Sequence, residues 1–296
     1  MIILVIFILV ILGYLLYTKS ALFTYFGNKY SVRVERDIVY VKDSGDPKHT
    51  LDLYLPKDKE NFPLVYFVHG GNWNSGDKRY FEPVTGLYGN IGVSLASHGI
   101  GVAVANYRLF PDVSADAQIL DILDGISWVQ EHGREYGAGD NLFLMGHSTG
   151  GQMIALLGAQ PEFFQAKNID EEKIRGYLTL SAVWDINEMV QNSKEEYNNK
   201  ITYPLFGETE GKRRFSSPAA YQDGIQKPFF IAAGERDYPY LIEQARRMHE
   251  VLDTRGISNK YLVAPKTSHS GIIIGFGKKG DLLLPAIVNF VQEHSI

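Results

Sequence analysis

Short apolar runs separated by helix-periodic segments constrain this chain more than any other feature. The runs are residues 64–69 (LVYFVH), 101–106 (GVAVAN), 142–146 (LFLMG), 177–182 (YLTLSA), 229–233 (FFIAA) and 260–264 (KYLVA). Runs without polar alternation suit strands covered on both faces, which is the state of strands in a parallel sheet. Residues 37–42 (DIVYVK) and 50–55 (TLDLYL) alternate instead, as half-buried strands do. Between the runs, Ile119, Ile122, Leu123, Ile126 and Val129 share one helical face, and so do Leu241, Ala245, Met248, Val251 and Leu252. Alternating β and α elements predict one α/β domain, a mostly parallel central sheet with helices on both faces. Residues 187–226, polar and rich in turns, break the rhythm as an insertion above one end of the sheet, either a partial lid or a surface loop.

The first 17 residues (MIILVIFILVILGYLLY) carry no charged side chain. As a helix they would reach about 25 Å, near the lower limit for crossing a bilayer. The expected organisation is an N-terminal transmembrane anchor or signal segment at 1–18, a connector at 19–33 and a catalytic domain at 34–296. Membrane lipid is the partner expected for residues 1–17. Lys19, Lys29, Arg33 and Arg36 follow the segment and favour a cytoplasmic domain. The absence of cysteine leans toward export, so the side of the membrane stays open. A net charge of −5 argues against nucleic acid as a partner. No metal-ligand spacing, phosphate loop or dinucleotide fingerprint occurs, so neither metal nor cofactor is expected.

The chemistry gathers where the runs end. Gly146-His147-Ser148-Thr149-Gly150 follows LFLM and opens an apolar helix, the strand–turn–helix setting in which a G-x-S-x-G serine becomes a nucleophile. His69-Gly70-Gly71-Asn72-Trp73 ends an earlier run. The amides of Gly71 and Asn72, with that of Thr149, are the expected oxyanion donors, and His69 and Gly70 are their supports. A serine nucleophile needs a base, and His269 lies in the loop after the last run, unlike the other histidines. The acid is Asp237, after FFIAA; Asp185, after the preceding run, is the alternative, and Glu235 comes too early. Trp73, Trp184 and Tyr238 are candidate substrate-pocket residues, with Tyr80, Phe81, Tyr203, Phe206 and Tyr240 as further candidates.

With LDLYLP (51–56), HGGNW (69–73), NYRLFP (106–111), GHSTGG (146–151), SSPAAY (216–221), GERD (234–237) and SHSG (268–271), residues 35–293 resemble an α/β-hydrolase of the carboxylesterase type. The HGG-x-W form is similar to esterases related to arylformamidases and isoprenylcysteine methylesterases. Asn72 departs from the HGGG form of hormone-sensitive-lipase-like enzymes, and Thr149 from the alanine common at that position. The resemblance implies a serine hydrolase acting on small carboxylic esters of short to medium acyl or aryl groups. Amide, formamide or thioester hydrolysis is the alternative within the fold, and a non-catalytic membrane-tethered binding protein the alternative outside it.

Overall fold

The computed structural model describes residues 32–80 and 86–295. The strands are β1 (Val32–Val39), β2 (Thr50–Pro56), β3 (Phe62–Val68), β4 (Gly101–Ala105), β5 (Ala138–His147), β6 (Ile174–Leu180), β7 (Phe229–Arg236) and β8 (Asn259–Ser268). They form one sheet in the order β1-β2-β4-β3-β5-β6-β7-β8. Pairing is antiparallel for β1 with β2 and for β2 with β4, and parallel from β4 to β8. This is the α/β-hydrolase arrangement, a mostly parallel sheet as the apolar runs predict.

Helices α1 (Gly89–Ala96), α2 (Ala115–His132), α3 (Thr149–Ala159), α4 (Pro239–Thr254) and α5 (Leu283–Glu293) cover the sheet. Strand pleat divides the core in two. Leu64, Tyr66 and Val68 of β3 and Leu142 and Leu144 of β5 meet α2, α3 and α4 through Ile122, Ile154 and Leu241. Val65, Phe67, Phe143 and Met145, the residues between them, pack with Ile91 of α1 and Ile287 of α5 on the opposite face. That double burial is why β3 and β5 read as continuous apolar runs. The Ser114 hydroxyl caps α2 by accepting from the Ala117 amide, which fixes the start of a helix whose spacing is plain in the sequence.

Several expected boundaries move: β5, β7 and β8 run past the apolar runs, to His147, Arg236 and Ser268. β1 begins at Val32, inside the expected connector, and stops at Val39 rather than running over 37–42. A bulge between Glu35 and Ile38, with Asp37 at φ 55°, breaks the pleat and hides the strand's alternation. β6 ends at Leu180 because Ser181 turns the chain at φ 50°. The predicted membrane segment at 1–17 lies outside the described residues. Among the described residues no helix is long and apolar enough to cross a membrane.

Candidate active site

Register brings the site together. His147 of β5 pairs with Leu180 of β6, so Ser148 and Ser181, the next residue of each, leave the sheet side by side. Arg236 of β7 pairs with Ser268 of β8, which likewise sets Asp237 beside His269. Val68 of β3 lies against Gly146 of β5, so His69 and His147 follow together. All these exits are at the carboxyl ends of parallel strands, where α/β sheets open their crevice.

Ser148 sits in the turn between β5 and α3 at φ 54°, ψ −116°, a conformation that L residues rarely hold. Its amide donates to Leu180 O at 2.8 Å. Glycines are obligatory around it. A Cβ on Gly146 would lie 2.4 Å from Gly150 O, and one on Gly150 would lie 2.3 Å from Val68 O. The turn thus closes against both its own helix and the end of β3.

Ser148 Oγ lies 2.9 Å from His269 Nε2, and His269 Nδ1 lies 2.9 Å from Asp237 Oδ1. A carboxylate only accepts, so Nδ1 carries the imidazole proton and Nε2 is left to accept from the serine hydroxyl. Asp237 Oδ2 accepts from the Ser181 hydroxyl, and Oδ1 also accepts from the Tyr238 amide at 2.7 Å. Burial pushes the Asp237 carboxyl up, but His269, Ser181 and the Tyr238 amide together hold it below the usual carboxylate range. It therefore stays charged at neutral pH.

The other candidate acids are occupied elsewhere. Asp185 caps the short helix Ile186–Gln191, accepting from the amides of Asn187 and Glu188 at 2.8 and 3.4 Å. Glu235 accepts from the Lys266 amide. His69 is fully buried, donates from Nδ1 to Gly70 O at 2.7 Å and stacks on Tyr107, so it braces its own loop. Burial pushes its imidazole down to about 4.

The Gly71 carbonyl accepts from the amides of Asn74 and Ser75, which winds the loop into a tight turn with Gly71 at φ 136° and Asn72 at φ 54°. A Cβ on Gly71 would meet Ser75 O at 2.0 Å. The amides of Gly71, Asn72 and Thr149 reach no backbone acceptor among the described residues. A cavity of about 390 Å³ opens over Ser148, bordered by Asn72, Trp73, Thr149, Tyr238, Tyr240 and His269. Asn72 and Thr149 are on its wall, and Gly71 precedes Asn72 in the same tight turn.

Trp184 does not belong to the pocket. It is buried on Phe229 and borders a different depression, beside Asp185 and Gln244. Val183 lines the cavity over Ser148, whereas Trp184, the next residue, borders the other depression. Phe206 lies behind Trp73, and Phe81 lies outside the described residues.

Three contributors escaped the sequence reading. Ser181 holds Asp237. His147 donates from Nε2 to His269 O at 3.1 Å, tying the base's loop to the nucleophile's turn. Burial, with the neighbouring His269, pushes the His147 imidazole down to about 3, so it is a neutral strut. Tyr197, from the insertion, donates to Asn72 Oδ1 at 3.2 Å and lines the cavity with Met189 and Lys194. Ser181 had a signal, its place at the end of an apolar run.

Residues 51–252 match the BD-FAE family. A probable isoprenylcysteine alpha-carbonyl methylesterase of Arabidopsis thaliana is 29% identical over 270 residues, 86% of this chain and 54% of that one. A kynurenine formamidase of Drosophila melanogaster is 25% identical over 235 residues, covering 77% of this chain and 73% of that one. The crystal structure of a C6-C4 SN3 inhibited esterase B from Lactobacillus rhamnosis superposes with a TM-score of 0.72 at 22% identity, over 89% of this chain and 88% of that one, which shows the shared fold. This chain spans 54% to 65% of the length of the Arabidopsis and rice methylesterases it matches. On a match that takes in β2 through most of α4, the nucleophile turn included, the chain belongs to the BD-FAE family.

Proposed function

We propose that this protein is a serine hydrolase that cleaves carboxylic esters of short to medium acyl or aryl groups through an acyl-enzyme. The reading is carried by one observation, the unbroken contact from Ser148 Oγ through both nitrogens of His269 to Asp237 Oδ1, at 2.9 Å on each side. His269 Nε2 takes the Ser148 proton as Oγ attacks the ester carbonyl, and Asp237 stabilises the imidazolium. The oxyanion is received by the amides of Gly71, Asn72 and Thr149, none of which is used by a backbone acceptor among the described residues. Each such donor lowers the barrier by about 3 kcal/mol. The alcohol departs with the proton from His269, and water then attacks the acyl-enzyme by the same route in reverse.

Esterase and methylesterase relatives support ester as the bond cleaved, and a formamidase relative keeps the amide as second reading. A panel of p-nitrophenyl esters beside N-formyl anilides separates them. Ester turnover is expected, falling by about 10⁴-fold or more in Ser148→Ala. An unchanged rate in that variant overturns the assignment.

Residues 1–17 we read as a membrane anchor, on their length and unbroken apolar composition. The full chain is then expected in the carbonate-resistant membrane fraction, and a chain starting at Val32 in the supernatant. Equal partition of both contradicts the anchor.

A further inference from the structure

Trp73 stands between two spaces. One side borders the cavity over Ser148; the other borders a second chamber of about 290 Å³, whose wall combines Ile119, Met153, Leu156 and Phe206 with the polar Asp116 and Gln160. Trp73 is the one side chain common to both walls among the described residues. It is only 1% exposed and is held from several directions. Its indole Nε1 donates to Gln152 Oε1 at 2.9 Å, and its carbonyl accepts from Gln118 Nε2 at 2.7 Å and from the Phe110 amide at 2.9 Å. The Phe206 ring backs the indole edge-on, at 4.9 Å between centroids. A side chain pinned in this way is a fixed wall rather than a swinging door. The chamber behind it is not closed core either, because Asp116 and Phe215 on its wall are exposed to solvent.

Resting on the esterase reading, we propose that Trp73 sets the limit on chain length. It confines the apolar branch of the ester to the cavity over Ser148 and shuts it out of the second chamber. The substrates of the unmodified protein are therefore esters whose branch ends at the indole, and removal of the indole joins the two spaces into one slot for long alkyl chains.

The test measures kcat/KM for two series, p-nitrophenyl esters from acetate to laurate and alkyl acetates from methyl to dodecyl. In Trp73→Ala the ratio of longest to shortest chain rises by about tenfold or more in one series, the discrimination expected of a few methylenes in an apolar pocket. Trp73→Ala/Leu156→Trp, which refills the chamber, returns the ratio to the starting value. Leu156→Trp alone leaves it unchanged, because the wall already excludes the chain. Should Trp73→Ala fail to fold, Phe206→Ala loosens the wall while keeping its hydrogen bonds and raises the ratio by about threefold. A ratio unmoved in Trp73→Ala or in Phe206→Ala, with acetate turnover retained, overturns the proposal, as does a loss of long-chain turnover in Leu156→Trp alone. If the unmodified protein hydrolyses neither series, the esterase reading itself is contradicted.

Discussion

β6 and β7 lie side by side and each is followed by an aspartate, yet the two exits do different work. At the β7 exit, Asp237 is the first residue past the strand, beside the Arg236–Ser268 pair, and this puts its carboxylate on His269. At the β6 exit the chain turns at Ser181, and Asp185 comes five residues past Leu180, where it caps a helix that opens the insertion. The lesson is that distance from the last paired residue, rather than the presence of a carboxylate after a strand, assigns the role. The β6 exit still serves the site, through the Ser181 hydroxyl on Asp237 and through Tyr197 of the insertion on Asn72.

Exchanging the two aspartates' chemistry breaks the comparison most sharply. Asp237→Asn is expected to lower kcat by about 10³–10⁴-fold, because the amide no longer fixes the imidazole proton on Nδ1. Asp185→Ala is expected to keep ester turnover within about threefold and to cost about 1 kcal/mol of stability, as lost helix caps do. Steady-state kinetics and urea unfolding of both variants check the pair; the reverse ranking would make Asp185 the acid.

Ser181→Ala comes next. Loss of one hydrogen bond to the Asp237 carboxylate is expected to reduce kcat by about tenfold with KM little changed. Tyr197→Phe, which frees Asn72 from the insertion, has a smaller expected effect, about two- to fivefold and mostly in KM. A Tyr197→Phe loss as large as that of Ser181→Ala would mean that the insertion does more than cover the cavity.

The β5 and β3 exits give a pH signature. His147 and His69 refuse protons in the folded state, at about 3 and about 4, whereas the unfolded chain binds them below the ordinary 6.5. The unfolded state therefore gains protons first, so stability is complete above pH 6.5 and declines as pH falls toward 4. Each histidine contributes a slope of up to about 1.4 kcal/mol per pH unit. Urea unfolding from pH 7 to 4.5 is expected to flatten in His147→Gln; an unchanged slope contradicts the neutral strut.

What was legible in the sequence was what the backbone demands. The close approaches at Gly146, Gly150 and Gly71 admit no side chain, and double burial erases polar alternation, so the turns and most strands could be read directly. The order Ser148, Asp237, His269 followed from which runs they terminate. What stayed hidden depends on contacts far apart in the chain. His147 reaches His269 across 122 positions, and Tyr197 reaches Asn72 across 125. Aromatic residues carry no local mark of the space they face: Trp73 borders the cavity over Ser148, whereas Trp184, expected beside it, borders another depression. The polar composition of 187–226 announced an insertion but not that its first half lines the cavity.

The central claim is that Ser148 is the atom that takes the acyl group. Labelling with an alkyl fluorophosphonate, followed by intact mass and peptide mapping, tests it most directly. A single adduct on the peptide carrying Ser148 is expected, absent from Ser148→Ala and slowed by orders of magnitude in His269→Ala. An adduct on any other residue, or equal labelling of Ser148→Ala, would contradict the account.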